Sequence, residues 1–218
     1  MKQKLLFLFF VWASMINAQQ TFVDYYSTGK NNDGTLMSAP PPDVTGGTSV
    51  LDPDWTVVRP GETTPVTTKT RHTYTGWSFP VIGVTGNTLQ SRWITDKDGW
   101  AKVGDYYYYS NSFQIPNVAT DAKLNLRSIS FVRNWTYLVR TDVTPNTEEL
   151  ITQTTWMSDG AKGWLNSRSP EVINKQLVPG ATYKIKVRVY TNNTTVTNAL
   201  NVHFAYSYSQ QACSTPIP

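Results

Sequence analysis

Two stretches near the end of the chain alternate so strictly that they leave few folds open. In residues 182–191 (TYKIKVRVYT), Tyr183, Ile185, Val187 and Val189 share one phase, and Lys184, Lys186, Arg188 and Tyr190 share the other. Successive side chains of an extended chain point to opposite faces. A strand that is apolar on one face and charged on the other is the half-buried strand of an antiparallel sheet. A slip of one residue would turn the three cations inward, so the register is firmly set. Residues 200–209 (LNVHFAYSYS) follow suit, with Leu200, Val202, Phe204, Tyr206 and Tyr208 in one phase. By the same reasoning His203 is expected on the solvent side.

The remaining segments predict more strands. Thr, Val, Tyr and Trp are abundant, charged residues make up only 16% of the chain, and thirteen Gly and thirteen Pro punctuate it. β-branched and aromatic residues suit a pleated, half-buried surface. No sustained helical period follows the first eighteen residues. Candidate strands are 21–27, 55–59, 91–94, 105–115 and 150–157, with 63–74 as an edge strand or loop. Residues 123–132 and 135–140 read as a hairpin turning near Arg133 and Asn134. In 105–115, Tyr107, Tyr109, Phe113 and Ile115 are assigned to the apolar face, and Tyr106, Tyr108, Ser110, Ser112 and Gln114 to the other. In 124–131 the phase switches between Leu126 and Ile129, which predicts a bulge near Arg127 or burial on both faces. Many short strands with frequent turn signals give an all-β, antiparallel β-sandwich.

The start of the chain points to export. Lys2 and Lys4 precede the apolar run of residues 5–16 (LLFLFFVWASMI), and Ala18 offers a small residue before a cut. This is the layout of a cleaved signal peptide over residues 1–18, and the run is short for a membrane span. No second apolar run of membrane length follows, so no span is expected after the cut. The expected location is secreted or cell-surface. The mature chain divides into residues 19–50, a strand and Gly/Pro-rich loop packing on the sandwich; 51–209, the sandwich; and 210–218, a tail or linker. Losing Lys2 and Lys4 takes 19 basic residues to 17 against 15 acidic. These cations are scattered, whereas nucleic-acid binders gather them into a patch, so nucleic acid is not an expected partner. Cys213 is the single cysteine, so no intramolecular disulfide forms.

Several phrases resemble a known group. They are Gly29, Gly34 and Leu36 (G-x-x-x-x-G-x-L), Asp52, Asp54, Trp55 and Val57 (D-x-D-W-x-V), Trp93-Ile94, and Gly104, Tyr106, Tyr108, Phe113 and Ile115. The chain is similar to the N-terminal jelly-roll, galactose-binding-like β-sandwich modules of secreted Bacteroidota and other bacterial surface proteins. The phrase Leu177, Pro179, Gly180, Tyr183, Ile185, Val187 is similar to one in many sandwiches, fibronectin type III included. The resemblance implies a fold more than a function.

No catalytic machinery is legible. There is no G-x-S-x-G, and His72 and His203 are the only imidazoles. Glu148 and Glu149 are adjacent, so on a strand they face apart rather than flanking a sugar. Asp96 and Asp98, before Gly99, echo the start of a calcium loop without its distal glutamate; structural calcium there is the only cofactor expectation. The mature chain holds seven Trp. Trp55, Trp93 and Trp135 are assigned to structure. Trp164 with Asp159 and Arg168 is the first candidate ligand site, and Trp77 with Trp100 the second. All lie in turn-rich segments, where binding residues concentrate. The expected function is a non-catalytic carbohydrate-binding module, an adhesin or accessory domain. A structural spacer domain and a glycan hydrolase with a dispersed carboxylate pair are the alternatives.

Overall fold

The computed structural model describes residues 19–23, 26–37, 50–71, 91, 93–96, 102–130, 132–154, 172–192 and 199–210. They form β1 (Gln19–Val23), β2 (Leu51–Val58), β3 (Val66–Arg71), β4 (Trp93–Thr95), β5 (Gly104–Ser110), β6 (Phe113–Gln114), β7 (Ala119–Ser130), β8 (Asn134–Arg140), β9 (Thr147–Gln153), β10 (Val172–Gln176), β11 (Thr182–Thr191) and β12 (Leu200–Gln210). The pairing runs β10-β7-β12-β4-β3-β2-β5-β11-β8-β9, with β1 on β12 and β6 on β11. Every pairing between these strands is antiparallel. Among the described residues no helix is long and apolar enough to cross a membrane.

This continuous order doubles over into two layers, and the core lies between them. Phe113 sits 5.0 Å from the Tyr206 ring and 5.5 Å from that of Phe204, and Trp55 meets Phe204 edge-on at 6.4 Å. Tyr183, Ile185, Val187 and Val189 share one buried cluster with Leu124, Leu126, Val202 and Phe204. The inner phase of β11 is therefore the one its alternation predicts. Each fully buried aliphatic or aromatic side chain contributes about 1.5–3 kcal/mol. At one end the core turns polar. Ser128 Oγ lies 2.8 Å from Thr136 Oγ1, and Asn134 Nδ2 donates to Ser130 Oγ at 2.8 Å. β7 and β8 thus meet across the sandwich, not along a ladder. The expected hairpin at Arg133 and Asn134 is absent, because β8 pairs with β11 and β9 while β7 pairs with β12 and β10.

Other departures have local causes. Residues 105–115 are two strands, because Asn111 and Ser112 interrupt the ladder. Asn111 donates its N–H to Asp54 O and its Nδ2 to Asp54 Oδ1, while Ser110 Oγ accepts from Ile185 N–H. The interruption shifts the phase by one. Phe113 and Ile115 are buried as expected, but Tyr106, Tyr108 and Ser110 are buried with them and Tyr107 and Tyr109 point outward, the reverse of the assignment for those five residues. β7 keeps its register with β12 through Arg127 and is buried on both faces from Leu124 to Leu126 and from Ser128 to Ser130. The irregularity falls instead beside Asp121, whose φ is 52°. β3 lies inside the sheet between β2 and β4, not at an edge.

The N-terminal segment completes the edge of β12. β1 pairs with residues 206–210, and β4 pairs at Leu200. Between them, Ser27 Oγ accepts from Phe204 N–H and Thr28 Oγ1 accepts from Val202 N–H, each at 3.0 Å. Asp52 Oδ2 accepts from Gly29 N–H at 2.7 Å, and Gly29 takes a φ of 67° that suits glycine. The Gly29 and Asp52 motifs of the sequence thus meet as one buried cap. Burial pushes the Asp52 carboxyl up to about 7, against the pull of the Gly29 and Asp54 N–H groups.

Candidate functional site

The outward phase of β11 builds a flat face across three strands. In register, Lys186 lies between Tyr109 of β5 and Tyr137 of β8, and Arg188 lies between Tyr107 and Trp135. Cross-strand neighbours on one face are within reach of long and aromatic side chains. Arg188 Cζ sits 4.6 Å from the centre of the Trp135 ring, and Arg133 Cζ 4.5 Å from it. Lys184 Nζ is 4.9 Å from the Tyr109 ring; Lys186 Nζ is 5.3 Å from Tyr107 and 5.4 Å from Tyr137. These separations place the cations within cation–π range, where each contact at an exposed site is worth about 0.5–1 kcal/mol.

Carboxylates hold two of the cations. Arg188 is bidentate to Asp105 at 2.7 and 3.0 Å, which raises the guanidinium pKa further. Lys186 donates to both oxygens of Glu148, at 2.9 and 2.7 Å. Glu149, the next residue, points to Lys175 of β10 in the other layer. The two glutamates do face apart. Lys184 and Arg133 have no carboxylate partner among the described residues. Burial raises the Tyr109 hydroxyl pKa, with Glu148 adding to the rise and Lys186 opposing it. The face therefore presents planar rings, N–H donors and a cationic excess on a rigid sheet.

Trp135 belongs to this face and not to the core, unlike Trp55 and Trp93, which are buried. Its place was legible: in NWTYLVR, Trp135 and Tyr137 share a phase with Val139 and oppose Leu138. Assigning every regularly placed Trp to structure hid that. Trp164, Asp159, Arg168, Trp77, Trp100 and Asp98 lie outside the described residues. Asp96 is described. It is buried and accepts from Arg59 Nε at 2.8 Å. Among the described residues no three His, Cys, Asp or Glu side chains gather as a metal site would need.

A second constellation surrounds His203. It projects opposite Val202 and Phe204 as expected, yet it is 3% exposed, not on the solvent side. Its Nε2 lies 2.6 Å from Ser91 Oγ, and Ser91 also hydrogen-bonds Asn201 Oδ1. An amide oxygen only accepts. The Ser91 proton therefore goes to Asn201, and His203 Nε2–H donates to Ser91 Oγ. The imidazole is not withdrawing the serine proton, as a nucleophile's base would. Burial, with Lys30 and Arg127 nearby, depresses its pKa to about 3, so it stays neutral. The pair is a structural hydrogen-bond bridge.

No family model matches the chain, and no curated protein matches it. Among solved structures, it is similar to the CBM22-1–GH10 modules of the Clostridium thermocellum N-terminal endo-1,4-β-D-xylanase 10B complexed with xylohexaose. The likeness has 9% identity and a TM-score of 0.23, and it covers 76% of this chain and 27% of that one. At that TM-score it carries no argument, and the functional reading rests on the residues above.

Proposed function

We propose that the chain is a non-catalytic carbohydrate-binding module of a secreted or cell-surface protein, and that the outward face of β5, β11 and β8 is its ligand platform. One observation carries this reading: Tyr107, Tyr109, Trp135 and Tyr137 lie side by side on one flat, half-exposed face, braced by the cations of β11. Rings presented this way offer apolar area to the C–H face of a sugar. Lys, Arg and the tyrosine hydroxyls offer partners to its hydroxyls. Mounting them on strands holds their spacing without an ordering cost on binding. The reading includes cleavage after Ala18, which leaves β1 intact from Gln19. It also includes a galactose-binding-like, jelly-roll relationship to modules of bacterial surface proteins. The segments bearing Trp164 and the pair Trp77 and Trp100 are secondary candidate sites.

A glycan array probed with residues 19–218 tests the reading. A defined glycan class should bind, and Tyr107→Ala or Trp135→Ala should weaken binding at least about tenfold while the protein stays folded. Binding that is unchanged by both variants but lost in Trp164→Ala would move the site to the Trp164 segment. No binding on the array would count against the function itself.

A further inference from the structure

We propose that the ligand of this face is an anionic glycan, one bearing carboxylate or sulfate groups. The inference rests on the carbohydrate-binding reading and narrows it. Four cations, Arg133, Lys184, Lys186 and Arg188, stand among the four rings, and two carboxylates, Asp105 and Glu148, answer them. The two remaining cations differ from the paired ones in what they touch. Lys184 rests against Tyr109, and Arg133 against Trp135, with no carboxylate for either among the described residues. The Nε of Arg133 is also buried with no hydrogen-bond acceptor there.

This arrangement disfavours a neutral sugar. Such a ligand must displace a cation from a ring face and returns only a neutral hydroxyl acceptor, weaker than an ionised one. An acidic sugar offers both halves of the exchange. Its carboxylate or sulfate accepts a charge-assisted hydrogen bond from the lysine or arginine, and its C–H face takes the ring the cation has left. Register places Lys184 and Arg133 toward opposite ends of the platform, beyond Lys186 and Arg188, so two acidic groups along one polymer can engage them together. Aromatic rings among cations also bind single-stranded nucleic acid. Single-strand binders track the phosphate backbone along a continuous cationic groove, whereas Asp105 and Glu148 interrupt the cations of this face, which favours the glycan.

The test measures retention of residues 19–218 by polygalacturonate (carboxylated), dextran sulfate (sulfated), neutral xylan and single-stranded DNA, at low and at high salt. Expected is binding to an acidic polymer, weakened by salt, with the R133Q/K184Q pair losing about tenfold and flattening the salt dependence. The polygalacturonate and dextran sulfate arms decide between carboxylate and sulfate. Circular dichroism confirms that the variant stays folded; Lys184→Gln alone serves if the pair does not. Xylan bound as well as the acidic polymers, with R133Q/K184Q unaffected, overturns the anionic inference and leaves the carbohydrate reading standing. No polymer bound, or acidic binding insensitive to Tyr107→Ala and Trp135→Ala, overturns both. Equal retention by single-stranded DNA overturns the choice of glycan.

Discussion

The two layers of the sandwich treat their outer faces in opposite ways. Outward side chains of β11 are Lys184, Lys186, Arg188 and Tyr190, all half-exposed, and the three cations are engaged with rings and carboxylates. The corresponding side chains of β12 are Asn201, His203, Ala205 and Ser207, and all are buried. Both strands alternate, and both put their larger apolar residues inside. The difference lies in what the second phase contains. Charged side chains are almost never fully buried unless paired, whereas Ala is often buried, and Ser, Asn and His are buried at lower cost where they are hydrogen-bonded. A phase free of charge is therefore a phase that the fold is able to cover. On the covered face of β12, Ser91 links Asn201 and His203.

The most drastic way to break this comparison is to place charge on each outer face in turn. Ala205→Glu should cost roughly 3–5 kcal/mol, since an uncompensated carboxylate would be buried. Lys184→Glu should cost under about 1 kcal/mol. Val187→Asp and Arg188→Asp give the matching control across β11, the first failing to fold and the second tolerated. Urea unfolding of all four measures this, and equal tolerance of Ala205→Glu and Lys184→Glu would mean that the β12 face is open to water.

Acid titration separates two buried groups of opposite sign. His203 has a folded pKa of about 3 against 6.5 unfolded, so the unfolded chain takes up its proton first and stability falls as pH drops from 6.5 toward 3. Asp52 has a folded pKa of about 7 against 3.8 unfolded, so the folded chain takes up its proton first. Its contribution is greatest below pH 3.8 and is lost as pH rises through 7. The two slopes oppose each other between pH 3.8 and 6.5. Asp52→Asn should leave a protein that weakens on mild acidification. His203→Gln should leave one that strengthens. Urea midpoints from pH 4 to 8 measure both, and parallel curves for the two variants would contradict the assignment.

Smaller effects belong to the open face. Trp135→Ala should cost about 1–2 kcal/mol, less than a buried Trp, and a double-mutant cycle with Arg188→Ala should return a coupling of about 0.5–1 kcal/mol. A loss of 3 kcal/mol or more, the range of core aromatics, would place Trp135 in the core after all. Glu148→Gln should change stability least, by under about 1 kcal/mol, because the carboxylate is exposed and screened. A salt-independent loss larger than that would show the pair with Lys186 to be shielded from solvent.

Sequence alone determined the class of fold and the inner face of its clearest strand. Lys184, Lys186 and Arg188 cannot be buried together, so Tyr183, Ile185, Val187 and Val189 had to be. It also brought out the Gly29 and Asp52 motifs, though not that one caps the other. Tertiary structure decided what alternation cannot encode. Period two says that two faces differ, but it says nothing of what lies against the second, so His203 read as wet. It also loses count wherever a residue leaves the ladder. Asn111 and Ser112 do so because Asp54 holds Asn111 by its backbone and its side chain. That sends Tyr107 and Tyr109 outward to meet β11. Finally, adjacency along the chain favours a hairpin for β7 and β8. Only the tertiary pairing reveals that the chain crosses from one layer to the other, with β7 beside β12 and β10 and β8 beside β11 and β9, so that Leu124, Leu126, Ile185 and Val187 share one core.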